Sequence, residues 1–406
     1  MGAEIALEQT AQTSTATAAP AERPLWRSAV AAWLGQRLLI GALVAVWQVT
    51  LHTFSPAAFY RVWTLYDGIF YTLIAERGYR LLTEAAYFPL YPLLMHMTAP
   101  LVGGHVRLAG LIVANACALA AFILLGRLVA HEFGAGVARQ TLFYYAIFPT
   151  GLFFASIYTE SLFLLLSVGA FLCIRQRRWL LAGVVIALAT LTRAPGALLL
   201  LPLTIEAWRA LRPAWSAMSG ARRLRVGLTL VSASALPVCA FLALQLYLTH
   251  LYGIPNVLSR AADDPAWLRY LDWPWAGVMN DFATLADGSP FIPVLEIVKD
   301  VTFLGFWLGL SLVMLLPRGW TSWTNIPRAW VAYGWASLLQ VLVLPAHIRG
   351  GALMSVPRYM LVIFPCFVLL ALVSERHPNV RRLAFALCIL WTVMLTRLLA
   401  DASFVA

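Results

Sequence analysis

The sequence predicts an all-α, polytopic membrane protein. Of its 406 residues 61% are hydrophobic and only 12% charged, with a mean hydropathy of +0.79, against roughly a quarter charged residues in an ordinary soluble domain. Its apolar runs approach the roughly 20 residues that one helical crossing needs. Most of the loops between them are too short to hold a soluble domain of their own. The net charge of +11 comes almost wholly from arginine, Lys299 being the only lysine. These arginines cap apolar runs as the positive-inside bias requires, rather than forming a solvated basic face, which argues against nucleic-acid binding. The five cysteines show neither metal-ligand nor disulfide spacing and are expected to pack in the core.

Residues 1–28 are polar, without periodicity, and are expected to form a disordered cytoplasmic N-terminus. The remainder, 29–406, reads as a single transmembrane domain of about 11 helices. The predicted spans are 29–51, 107–130, 141–156, 159–174, 179–192, 194–210, 226–250, 295–316, 328–345, 358–373 and 380–400. The stretch 88–103 is also apolar, but it is short and broken by Pro89, Pro92 and Pro100, which remove amide donors.

Charge parity decides its topology. The strongest basic clusters are Arg175/Arg177/Arg178, Arg209/Arg212/Arg222/Arg223/Arg225 and Arg376/Arg381/Arg382, and these belong in the cytoplasm. They all fall on one side only if 52–106 is one long first extracytoplasmic loop, with 88–103 re-entrant or interfacial. The turns around Tyr158 to Glu160, Arg193 to Gly196 and 346–357, and the second large loop 251–294, then share that side.

The charged residues that interrupt this pattern are the candidates for chemistry. The segment from Trp63 to Arg80, WTLYDGIFYTLIAERGYR, has the spacing of an amphipathic interfacial helix. Asp67 near its start is placed either as a general base or as a carboxylate complementing the helix N-terminus. Glu160 stands alone in a long uncharged stretch, where an ionisable residue is either functional or a helix cap. Arg193 in TRAPG and Arg358 in SVPRY run against the positive-inside bias, as a phosphate fork or a snorkelling arginine would. Arg349 and His347 are weaker candidates. Glu296, Lys299 and Asp300 share one helix face and read as a structural ion pair. The pair Asp263/Asp264 reads as a hydrated loop, with a divalent ion as the less favoured use.

Five segments, in order, carry a resemblance: YDGIFYTLIAERGY (Tyr66 to Tyr79), AYFPLYPLL (Ala86 to Leu94), FPTGLFFASIYTESLF (Phe148 to Phe163), TRAPG (Thr192 to Gly196) and SVPRYMLVIFP (Ser355 to Pro365). Together they resemble the PIG-V family of GPI mannosyltransferases and its prokaryotic relatives, within the GT-C class of membrane glycosyltransferases. The chain departs from the family pattern at Tyr66, where Trp is usual, at Tyr87 in place of Phe, and at Pro195 in place of Asn.

The resemblance implies a GT-C-like bundle and an inverting transferase on the extracytoplasmic face of a multi-pass protein, in a prokaryotic plasma membrane or, in a eukaryote, the ER membrane. It would use a polyprenyl- or dolichyl-phosphate hexose, typically mannose, and a lipid-linked or glycan acceptor. Asp67 corresponds to the class's catalytic base, Arg193, Arg358 and Arg349 would bind the donor phosphate, and Glu160, Tyr158, Tyr71, Trp63 and Tyr359 the substrates. No cofactor is expected and a divalent metal is left open. The rival classes are a transporter or flippase, with these charges at mid-bilayer depth, and a non-catalytic subunit of a glycan-assembly complex.

Overall fold

A computed structural model describes residues 24–263, 268–288, 291–316, 325–347, 351–353 and 355–400. The expectation for the N-terminal segment therefore lies largely outside the described residues. Among them the chain is helical, with one isolated antiparallel bridge, Arg269 to Ala346. The first helix, α1 (Leu25–Thr50), follows Pro24 and begins four residues earlier than the predicted start at 29. A proline there removes an amide that the helix end would leave unpaired, which favours the earlier start.

The first loop is made of short pieces. Helix α2 (Pro56–Val62) starts at Ser55, whose Oγ accepts from the Ala58 amide at 3.0 Å. Helix α3 (Asp67–Arg77) follows, then a 3₁₀ turn at Leu82–Ala86 and α4 (Leu90–Thr98), which runs into a second 3₁₀ turn at Ala99–Val102. The apolar stretch Leu90–Val102 rises about 20 Å as a helix, short of the roughly 30 Å hydrocarbon core, and packs on α3 and α5.

Helix α5 (Val106–Ile147) is broken at Gly134, where φ is 88° and ψ 168°, a conformation open to glycine alone among the common residues. This break separates the predicted spans 107–130 and 141–156. The second of these differs from expectation. Pro149 disfavours helical geometry at Phe148, which is extended, so the helix stops at Ile147 and residues 148–159 form a strap made of a 3₁₀ helix (Pro149–Phe154) and bends. The chain continues as α6 (Glu160–Arg175), α7 (Trp179–Thr190), α8 (Leu200–Leu211), α9 (Gly220–Tyr252), α10 (Val257–Ala262), α11 (Ala276–Ala286), α12 (Phe291–Val313), α13 (Arg328–Val343), α14 (Val356–Met360), α15 (Phe364–Arg376) and α16 (Pro378–Ala400).

Four described helices, α1, α5, α9 and α16, are long and apolar enough to cross a membrane unaided. Several other predicted spans are shorter or broken. The predicted span 358–373 is divided, for example, where Ile363 leaves helical geometry and α15 begins anew with Pro365 in its first turn, where the missing amide costs no helix bond. Tyr145, Phe148, Trp307 and Phe367 interlock where these elements meet, with the Tyr145 and Phe367 rings stacked at 4.0 Å.

The breaks have a consistent polarity. Glu160 begins α6 and Arg175 ends it; Arg358 lies just before α15 and Arg376 ends it; Arg193 precedes α8, whose last turn holds Arg209. The candidate charges thus gather at one end of the bundle, one helix length from the arginine clusters.

Candidate functional site

Asp67, Glu160, Arg193 and Arg358 sit where helices begin or are interrupted. Tyr66, a non-glycine residue at φ 53° and ψ −118°, precedes Asp67 at the start of α3. Ser355, at φ 71°, precedes the Val356-Pro357-Arg358 turn. Such backbone costs on the order of 1–3 kcal/mol and persists only where surrounding contacts hold it. At the former, the Trp63 carbonyl accepts from the Ile157 amide at 3.0 Å and ties the first loop to the strap. At the latter, the Thr150 hydroxyl of the strap donates to the Pro357 carbonyl at 3.0 Å. The strap therefore binds both halves of the site.

Arg358 is the hub. Its Nη1 lies 2.6 Å from Asp67 Oδ2 and its Nε 3.2 Å from Glu160 Oε1, while Arg193 Nη1 lies 2.5 Å from the same Glu160 oxygen. Residues from the first loop, the start of α6, the α7–α8 turn and the α14 turn thus form one chain of charges. Arg358 is only 8% exposed and Glu160 1%. The rings of Phe153, Tyr158 and Tyr359 lie 5.7, 5.3 and 5.3 Å from the Arg358 guanidinium carbon, an aromatic cage that favours a cation in partly desolvated surroundings. Arg193 and Arg269 approach the Tyr359 ring as well, at 5.1 and 5.6 Å.

A cavity of about 450 Å³ opens beside this cluster. Asp67, Tyr71, Arg193, Arg269, Arg358 and Tyr359 line its polar part, and its remaining wall is largely apolar, from Phe88, Phe163 and Phe241 to Leu344 and Ile363. Three guanidiniums, those of Arg193, Arg269 and Arg358, thus gather with the carboxylates Asp67 and Glu160 at this end of the cavity. Tyr87, also on the wall, donates a long hydrogen bond of 3.4 Å to Asp67 Oδ1. Burial pushes the Tyr71 and Tyr87 phenols well above their ordinary range, and the Asp67 charge acts in the same direction. Tyr66, beside the base candidate, is pushed up to about 12 by burial and secondarily by Glu296. All three stay neutral donors at physiological pH.

Among the residues expected from sequence, Asp67, Tyr71, Arg193, Arg358 and Tyr359 meet on the cavity wall. Glu160 is not on that wall. It lies behind the arginines, with one carboxylate oxygen shared by Arg193 and Arg358 and the other buried without a hydrogen-bond partner. Tyr158 is likewise buried beneath Arg358. Trp63 is not brought to the cavity; it packs edge-on against Phe59 at 5.8 Å and holds the strap through its carbonyl. Arg349 and Asp264 lie outside the described residues.

The Glu296/Lys299/Asp300 set pairs as its spacing suggested, Lys299 bonding Glu296 and lying 3.6 Å from Asp300. His347 lies 3.6 Å from Asp272. Arg269 and Tyr87 were missed. Arg269 is another arginine in an expected extracytoplasmic loop, the signal that singled out Arg193 and Arg358, and Tyr87 stands where the family motif carries a phenylalanine.

A family model described as Mannosyltransferase (PIG-V) matches residues 54–271, just over half of the chain. A match over more than half of the chain, in a fold of long apolar helices, defines the family. The chain belongs to the PIG-V mannosyltransferase family. No curated protein matches it.

Solved structures similar to it include the Archaeoglobus fulgidus oligosaccharyltransferase in its complex with zinc and sulfate, at 14% identity and a TM-score of 0.45, over 92% of this chain and 52% of that one. The apo form of that enzyme is similar at 12% identity and a TM-score of 0.46, over 93% and 55% of the two chains. The oligosaccharyltransferase AglB of the same organism, bound to an inhibitory peptide and a dolichol-phosphate, gives 13% identity and a TM-score of 0.42, over 90% and 55%. The chain spans about half the length of these proteins.

Proposed function

We propose that this glycosyltransferase moves a hexose, mannose by family, from a polyprenyl-phosphate donor to a hydroxyl of a lipid-linked or glycan acceptor at the extracytoplasmic face, inverting the anomeric centre. The observation that carries the reading is Arg358, paired at once with Asp67 and Glu160 on a cavity that joins a cationic end to an apolar wall. A lipid phosphate has that shape: an anion for the arginines and a tail for the apolar side.

Asp67 accepts the proton of the acceptor hydroxyl as its oxygen attacks the anomeric carbon from the face opposite the phosphate. The bond from that carbon to the phosphate oxygen breaks, and the lipid monophosphate departs with the electron pair. Arg358 and Arg193 stabilise the charge that develops there, as fixed donors do best in a water-poor site. A phosphate bound by Arg358 also competes with Asp67 for the same guanidinium, so donor binding loosens the carboxylate's ion pair before it acts as base. Glu160 keeps the two arginines in register.

The position of these charges at helix ends, one helix length from the arginine clusters, supports a site reached from one face over a translocation path at mid-bilayer. The purified protein, given polyprenyl-phosphate mannose and a panel of lipid and glycan acceptors, should release lipid phosphate with mannose transfer. Transfer from a nucleotide-mannose alone, or none from any lipid donor, contradicts the reading.

A further inference from the structure

Helix α11, in the second large loop, divides its residues sharply. Gly277, Asp281 and Thr284 are buried on one face, at the i, i+4, i+7 spacing of a helical stripe. On the other, Trp275, Met279 and Phe282 are 59%, 63% and 51% exposed, again at i, i+4, i+7. The segment leading into the helix adds Leu271 and Trp273, both largely exposed, and the Trp273 and Trp275 rings stack at 5.2 Å.

This apolar surface continues into that of the bundle. The Asp272 amide bonds the Val343 carbonyl at the end of α13, on which Leu339, one turn earlier, is exposed as well, and α11 packs on both α12 and α13. The loop that contains it joins two apolar helices, α9 and α12, so it lies at the membrane boundary. Tryptophan flanked by apolar side chains suits that boundary.

The buried face is tied to the site. Asp281 accepts from the amides of Ala352 and Leu353 at 2.9 and 3.3 Å, and the Leu353 carbonyl accepts from Val356 at 3.0 Å, two residues before Arg358. Gly277 lets the helix sit flush on this turn, since a Cβ there would meet Pro345 at 2.9 Å and Leu353 at 3.2 Å.

We propose that α11 is an interfacial helix whose Trp275/Met279/Phe282 face is seated in lipid, and that this seating, through Asp281, holds the turn that presents Arg358. The lipid seat stands on the exposed face alone; the coupling rests on the function proposed above.

The decisive test uses the full chain in liposomes, with an environment-sensitive fluorophore on Met279→Cys in a background freed of native cysteines. Emission shifted to the blue and quenched by brominated acyl chains is expected. Emission quenched by aqueous iodide, with no effect of bromolipid, overturns the seat. A photoreactive phenylalanine analogue at 282 in the otherwise native chain gives a second reading: crosslinks to acyl chains support the seat, and crosslinks to protein or glycan alone overturn it.

Coupling is read separately. Met279→Glu with Phe282→Glu should lower turnover on the order of 10²-fold, as a displaced catalytic group does, whereas Met279→Leu with Phe282→Leu should keep it. Unchanged turnover in the glutamate pair, with lipid contact intact in the native chain, overturns the coupling and leaves the seat.

Discussion

At the scale of single residues the site separates two carboxylates that look alike in sequence. Asp67 is on the cavity wall and shares Arg358 with nothing between it and the space beside it, whereas Glu160 is buried behind the arginines it orients. The two should fail differently. Glu160→Gln keeps the shape but removes the charge that Arg193 and Arg358 share, so turnover should fall by clearly less than the roughly 10²–10⁴-fold that loss of a general base brings. Donor affinity should shift with it, because both guanidiniums are freed to reorient. Steady-state kinetics resolve this into kcat and KM, and a collapse of kcat as deep as that of an Asp67 variant would show that the roles have been assigned the wrong way round. Both residues were legible in the sequence, since a carboxylate in a long apolar context is expensive and rarely idle. Depth was not, because sequence gives a residue's neighbours along the chain and not which side of an arginine it occupies.

At the scale of elements the strap, residues 148–159, decides the geometry. Backbone groups left over by its 3₁₀ helix and bends must find partners in a low-dielectric interior, and α1 supplies one of them while tying the strap to α5. Arg37 Nη2 donates to the Phe154 carbonyl at 2.9 Å and its Nε to Asn115 Oδ1 at 3.0 Å, while Gln36 Nε2 donates to the Tyr145 carbonyl at 2.6 Å. Arg37→Met keeps side-chain bulk but takes the guanidinium donor from Asn115 Oδ1 and Gln36 Oε1 and leaves the Phe154 carbonyl with the Ser161 hydroxyl, at a cost of about 1–3 kcal/mol for each group left buried and unpaired. The variant should melt at lower temperature in detergent and lose transferase activity as the strap shifts. An unchanged melting temperature would mean that the strap holds without α1. The predicted span over 141–156 overlooked this arrangement. Pro149 was there to be read, but an apolar run rich in phenylalanine gives no periodicity that distinguishes a helix from a packed strap. The polar residues Gln36, Arg37 and Asn115 inside apolar runs were the available signal.

At the scale of the whole molecule, charge alternation along the sequence puts Asp67, Glu160, Arg193 and Arg358 in one group, and in the structure these four meet although Asp67 and Arg358 are 291 positions apart. Parity depends on where chains turn and not on how long each helix is, so short and broken spans leave such a grouping readable. It put Arg269 on the same side, in the loop 251–294, but not at the site, to which the Arg269–Ala346 bridge brings it.

The central claim is that this assembled cluster is a catalytic centre with Asp67 as its base and the arginines as its phosphate clamp. Measuring donor affinity and single-turnover rate on the same Asp67→Asn protein tests it most directly, because asparagine keeps the shape and removes only the proton acceptor. The expected result is a rate lower by about 10²–10⁴-fold with donor binding no weaker than in the native chain, since Arg358 no longer divides its guanidinium between Asp67 and the phosphate. A variant that turns over at the native rate, or one that fails because it no longer binds the donor, would contradict the claim.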